Sequence, residues 1–158
     1  MNNDFKIGLG FGLTSAIITT LGLMMGLQSA SGSRMILIGG ILTIAVADAF
    51  SDALGIHAAK ESEGNFTTWE SWRAAFFTFL FKGIFACSFV LPVLIFSVDT
   101  AILVSVLWGF LTLALLSYHT AREKKQSPVK SIVEHLSVAA VVLISTHYIG
   151  KMIALYFK

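Results

Sequence analysis

The chain has 158 residues, 56% of them hydrophobic and only 13% charged, with a mean hydropathy of +0.81 and a formal charge of +2. A soluble domain carries about 25% charged residues, so this composition excludes an ordinary soluble enzyme and implies an all-α, multi-pass membrane protein. So small a net charge gives no ground for a nucleic-acid partner, and one cysteine, Cys87 in an apolar run, excludes a disulfide framework or a thiolate cluster.

The first apolar segment runs from about Ile7 to Leu27. At 1.5 Å per residue it reaches roughly 31 Å, enough to cross a bilayer and too long for a signal peptide. Gly8, Gly12, Ala16 and Thr20 recur every fourth residue, a close-packing ridge for a neighbouring helix. Thr14, Ser15 and Thr19 bring hydroxyls into the same segment.

After a Ser/Gly-rich turn from Gln28 to Arg34, the second segment spans about Met35 to His57. It carries two acids, Asp48 and Asp52, one helical turn apart and therefore on one face. Each costs at least ~2.5–3.5 kcal/mol at the centre of a bilayer, so the pair implies a cavity, a partner cation, protons or a metal. Gly39, Thr43, Ala47, Ser51 and Gly55 form a second small-residue ridge. The helix is expected to run past the membrane through Lys60, Glu61 and Glu63 until Gly64-Asn65 ends it.

Thr67-x-x-Glu70 reads as a capping box opening the third segment, about 72–96, with Trp69 and Trp72 at the interface. Lys82 lies too deep in this segment to be dismissed as a surface charge: it either snorkels or pairs with a carboxylate on a neighbouring helix, with Asp52 the first candidate. Pro92 is expected to kink the helix. Asp99 reads as the N-cap of the fourth segment, 100–118. A basic link closed by Pro128 follows, and Ser131-x-x-Glu134 reads as a capping box opening the fifth segment, 131–157. His147, inside that segment, reads as a hydrogen-bonded packing residue. The whole chain forms a single five-helix domain.

An odd number of spans puts the chain ends on opposite sides. The amino side carries Lys6, Lys60, Arg73, Arg122, Lys124, Lys125 and Lys130, against Arg34, Lys151 and Lys158 on the other. The positive-inside rule places the amino end in the cytoplasm and the carboxyl end outside or in a lumen.

The stretch Gly-Leu-Thr-Ser-Ala-Ile-Ile-Thr-Thr-Leu-Gly-Leu-Met-Met-Gly (12–26), followed by the small-residue helix with Asp48 and Ser51, resembles the vacuolar iron transporter family. The likeness extends over all five segments, including Gly83…Pro92 in the third. It implies a five-helix homodimer that exports iron(II) or manganese(II) from the cytosol in exchange for protons. The metal is cargo, and no permanently bound cofactor is implied.

The chain departs from the family in several places. The family's Gly-Glu-(aromatic)-x-Ser is here Ala47-Asp48-Ala49-Phe50-Ser51, so Asp48 stands for the glutamate; the methionine four residues earlier is Ile44, and the first-helix aspartate is Ser15. Asp52 is gained, and the helical metal-binding insert after the second span is reduced to the Glu61/Glu63 stub. Lys82 would repel a divalent ion unless neutralised or turned aside.

Candidate metal ligands are thus Asp48, Asp52, Glu61 and Glu63, with Ser15, Thr19, Ser51 and Lys82 along a transport path or in proton coupling. Iron(II) and manganese(II) accept carboxylate oxygens, and protonation of carboxylates competes with metal binding. His57, His119, Glu134 and His135 fall at the same membrane edge as Glu61 and Glu63, where a metal-collecting vestibule is possible. Two other classes compete with transport. An intramembrane aspartyl protease needs aspartates on two helices and a Gly-x-Gly-Asp motif, which this chain lacks. A non-transporting membrane scaffold would keep the fold, with a Lys–Asp pair in place of the ion site. The chain is expected to be non-enzymatic and to lie in a prokaryotic cell membrane, or in a vacuolar or organelle membrane in a eukaryote.

Overall fold

The computed structural model describes residues 3–157, so Lys158 lies outside the described residues. The described residues form six helices joined by short links: α1 (Asn3–Ser31), α2 (Arg34–Ser62), α3 (Thr68–Ser88), α4 (Val90–Ile95), α5 (Val98–Glu123) and α6 (Pro128–Tyr156). Five helices are long and apolar enough to cross a membrane, α3 and α4 together making the third. The protein is an integral, multi-pass membrane protein. At 29 residues, α1, α2 and α6 each reach about 43 Å and so extend past a hydrocarbon core of roughly 30 Å.

The helix boundaries follow local chemistry. Thr67 and Glu70 form the expected reciprocal capping box on α3. Glu63 caps α2, and Gly64 then takes φ +69°, a left-handed turn that glycine adopts without strain. The third span breaks at Phe89, three residues before Pro92, whose ring nitrogen has no proton for the Ser88 carbonyl.

Two expected caps are placed differently. Asp99 is not the N-cap of α5: the helix begins at Val98 after Ser97, and Asp99, inside the first turn, accepts a hydrogen bond from Gln28 Nε2 at 3.0 Å. Nor does Ser131 open α6. Ser127 caps that helix and Pro128 occupies its first turn, where a missing N–H costs nothing. A proline expected to close the link starts the helix instead.

α1 is the hub, packed against α2, α3, α5 and α6. The bundle has two zones along its length. Away from the amino end, Ile17, Leu21 and Met24 of α1 meet Leu37, Ile41, Phe89, Val93 and Leu113 in a core of large apolar side chains. Toward the amino end the contacts are made by small residues, among them Gly8, Gly12, Ala16, Ala45, Ala49 and Ala86.

The α1 ridge is spent on α3. A Cβ on Gly12 would lie 3.0 Å from the Thr78 carbonyl oxygen and 3.3 Å from the Lys82 amide nitrogen. The α2 ridge has no partner within the protomer: Gly39, Thr43, Ala47, Ser51 and Gly55 are all exposed. Helix α2 instead turns Leu37, Ile41, Ala45, Ala49 and Ala53 inward.

Gly12→Leu forces α1 away from α3 and should lower the unfolding free energy by about 1–3 kcal/mol. Gly10→Ala, where an added Cβ meets nothing within 4 Å, should be neutral or stabilising. Thermal melting in detergent reads both; equal losses would show that the α1–α3 approach is not the constraint.

Candidate functional site

The acids of α2 point at α3 because Ala45, Ala49 and Ala53 set the buried face of α2, leaving Asp48 and Asp52 at its border. Close approach makes the meeting possible. Gly83 of α3 faces the Ala45 carbonyl, and Gly12 of α1 sits against the backbone of Lys82.

Lys82 is 1% exposed and is the largest fully buried side chain. Its Nζ lies 2.5 Å from Asp48 Oδ2, donates to Asp52 Oδ2, and donates to Ser15 Oγ at 2.8 Å. Ser15 Oγ donates in turn to Asp52 Oδ2 at 2.6 Å. The Asp48 contact is an ion pair whose angles do not make a directed hydrogen bond, so Asp48 Oδ2 is held by charge alone. Three helices thus meet at one ammonium. The expected pairing of Lys82 with a carboxylate of α2 is present at Asp52, and Asp48 shares the same ammonium.

The site is asymmetric in its exposure. Lys82 is sealed inside, while the side chains of Asp48 and Asp52 are 27% and 21% exposed, on the side where the α2 ridge lies open. Oxygen donors at the surface and a cation behind them make an arrangement that holds a cation by two carboxylates and a hydroxyl. Thr19 Oγ1 donates back to the Ser15 carbonyl at 2.8 Å and supports the α1 turn that presents Ser15. Ser51 is exposed on the α2 ridge.

Glu61 and Glu63 are not brought to the Asp pair. Both are exposed at the end of α2, about 13 Å or more of helix rise beyond Asp52. Glu61 lies 3.5 Å from His57 Nε2, and the His57 ring lies tilted by 30° against Trp72 with centroids 4.1 Å apart. His135 bonds Ser117 and the Ser131 carbonyl, and Glu134 sits 3.8 Å from Lys130. His147 meets Ser29 Oγ at 2.7 Å, in the hydrogen-bonded packing role expected of it. Among the described residues, no three of the His, Cys, Asp and Glu side chains gather as a metal-binding group.

A second ionic centre has no counterpart in the sequence reading. Asp4, 2% exposed, takes Lys60 Nζ on one oxygen at 2.6 Å and Arg73 on the other, at 2.8 Å from Nε and 2.5 Å from the terminal nitrogen. Lys60 also lies over the Phe66 ring at 4.0 Å. A lone acid before the first apolar segment looks like an interfacial charge. Only the spatial meeting of the start of α1 with the α2–α3 turn reveals its role.

Lys82→Met, which leaves two acids without their cation, should destabilise by about 3–5 kcal/mol. Adding Asp48→Asn and Asp52→Asn should recover part of the loss. Melting of the single, double and triple variants reads the coupling, and strictly additive losses would show that the three groups act independently.

A sequence model of the VIT family matches residues 57–151. No curated protein matches the chain. Lys82 lies inside the matched range; Ser15, Asp48 and Asp52 precede it.

Proposed function

The chain belongs to the VIT family, and on that premise we propose that it exports iron(II) or manganese(II) from the cytosol in exchange for protons. Membrane metal-ion transport is the activity that family membership indicates. The observation that carries the finer reading is the convergence of Asp48, Asp52 and Ser15 on one cation inside a membrane bundle. Intramembrane acids of this kind serve ion and proton pathways by default.

Asp48 and Asp52 are the proposed metal ligands. Hard oxygen donors suit manganese(II) and iron(II), and their part-exposed faces leave room for an incoming ion. Lys82 already occupies the cation seat, so an arriving divalent ion has to turn the ammonium aside, and Lys82 and Ser15 are assigned to that exchange. Glu61 and Glu63 are proposed to collect metal at the end of α2. Thr19 and Ser51 are assigned to the path. The amino end is proposed to face the cytoplasm, in keeping with the basic residues gathered on that side.

The protomer is proposed to pair with a second copy through the open α2 ridge. In that arrangement Asp48 of both subunits flanks a shared path along the two-fold axis. The α1 ridge takes no part, since it is consumed by α3.

One observation favours a second reading. Lys82 is fully buried against both acids, as a permanent counter-ion in a non-transporting scaffold would be. Flux into proteoliposomes with iron(II), manganese(II) and cobalt(II), alongside a pH-sensitive dye, separates the two. Transport requires metal-dependent flux with proton movement, falling to background in Asp48→Asn and less severely in Asp52→Asn. A folded wild-type protein that moves none of the three ions would leave the scaffold reading standing.

Gly39→Leu should dissociate the dimer while leaving helix content intact, because an added Cβ there meets nothing in the protomer. Cross-linking in liposomes reads this. A strictly monomeric wild-type protein with full flux rules the shared path out.

A further inference from the structure

Helices α1 and α6 are pressed together away from the amino end and part toward it. A Cβ on Gly150 would lie 2.3 Å from the Gly26 carbonyl oxygen, and one on Gly22 would lie 2.8 Å from Val142. At Gly10 a Cβ would meet nothing within 4 Å, and no residue of α6 before Ala139 is buried. The opening is a cleft of about 900 Å³ between α1, the end of α5 and the first turns of α6.

The walls of this cleft are of three kinds. Lys6, Lys124 and Lys130 stand at the helix ends, Phe11 and Leu116 lie deeper along the helices, and Thr14, Ser117 and His135 set hydroxyl and imidazole groups beside them. Two acids share the rim, but each already has a lysine: Glu123 holds Lys6 at 2.9 Å, and Glu134 sits 3.8 Å from Lys130. Lys124 leaves the rim net positive. A divalent cation would face three ammonium groups here and would have to displace lysines from Glu123 and Glu134, with His135 the one further imidazole or carboxylate ligand in the lining, so the cleft favours metal less than an anion. Its charge suits an anion, and its depth suits a hydrocarbon chain.

We propose that this cleft seats an anionic phospholipid, with its phosphate against Lys6, Lys124 and Lys130 and an acyl chain running along Phe11 and Leu116. Both rim ion pairs are exposed, and such pairs open at little cost to admit a phosphate. Basic pockets between membrane helices on the cytoplasmic side commonly hold anionic headgroups, and the volume lies within the range of pockets that enclose a small molecule. The proposal is independent of the metal reading, since none of Ser15, Asp48, Asp52 and Lys82 lines the cleft.

The test is a thermal melt of the purified protein in non-ionic detergent, titrated separately with phosphatidylglycerol, phosphatidylcholine and inorganic phosphate. Phosphatidylglycerol should raise Tm saturably, and the other two should leave it unchanged. Gly10→Leu should abolish the response by filling the cleft. The double variant Lys124→Gln, Lys130→Gln should weaken the apparent affinity about thirtyfold, two lysines' worth of attraction to an anionic lipid. Equal stabilisation by phosphatidylcholine removes the charge recognition, and stabilisation by phosphate alone reduces the cleft to a soluble-anion site. A full response in Gly10→Leu places the lipid elsewhere. Any of the three overturns the proposal. Should Gly10→Leu not fold, the lysine double variant decides by itself, an unchanged affinity counting against the proposal.

Discussion

The ammonium of Lys82 sets the terms for the rest of the bundle. A charged amine in a membrane interior is tolerated only where carboxylates and hydroxyls replace its water, and here they come from two other helices. That requirement fixes how closely α1, α2 and α3 must approach. Ser15 reaches Lys82 because Gly8, Gly12 and Ala16 let α1 lie against the backbone of α3. Asp48 and Asp52 reach it because Gly83 faces a stripe of alanines on α2. Small residues and buried charge are thus two sides of one constraint. Bulkier packing would strand three ionised groups, and losing the ions would remove the reason for packing so tightly.

The same constraint explains where the large apolar side chains are and where the open surface remains. They fill the far half of the bundle, around Ile17, Leu21, Leu37, Phe89 and Leu113, where no charge has to be reached. On α2, turning the alanine stripe inward to bring the acids to Lys82 leaves the Gly/Thr/Ala/Ser ridge outside. In a lipid environment such a ridge gains little from acyl chains, which fit small side chains poorly, and much from another helix. The exposed faces of Asp48 and Asp52 border this ridge, so the pairing proposed through it and access to the acids are coupled by geometry.

Much of this was legible in the sequence because membrane-length apolar blocks and intramembrane charges are strong one-dimensional signals. The five spans, the Thr67–Glu70 box, the Pro92 break and the need of Lys82 for an α2 carboxylate all follow from residue type and spacing. Cap positions were less legible. Asp99 and Ser131 have the right chemistry for N-caps, but Ser97 and Ser127 lie at the true ends. Asp99 is taken up by Gln28 of α1, a tertiary contact that no local pattern records. Asp4 escaped for the same reason: its partners are 56 and 69 residues away in sequence. Sequence spacing also could not say which small-residue ridge would be used within the protomer, because both have the same period.

Asp4 and Lys82 together divide the bundle into two mechanically different parts. Both centres link the same three helices, one at the membrane edge and one inside it, and each buries most of its charge. The polar links from α1 to α5 and α6 are of another kind: Lys6–Glu123 and Gln28–Asp99 are exposed, and Ser29–His147 is a hydroxyl–imidazole contact. Exposed pairs contribute little, whereas breaking a buried pair is costly. Helices α1, α2 and α3 therefore hold as one ionic unit, while α5 and α6 are held to it by apolar contact and glycine packing. That contact is tight around Gly26 and Gly150 and lapses toward Gly10. The cleft opens between α1 and the α5–α6 pair, where neither buried charge nor close backbone contact joins them.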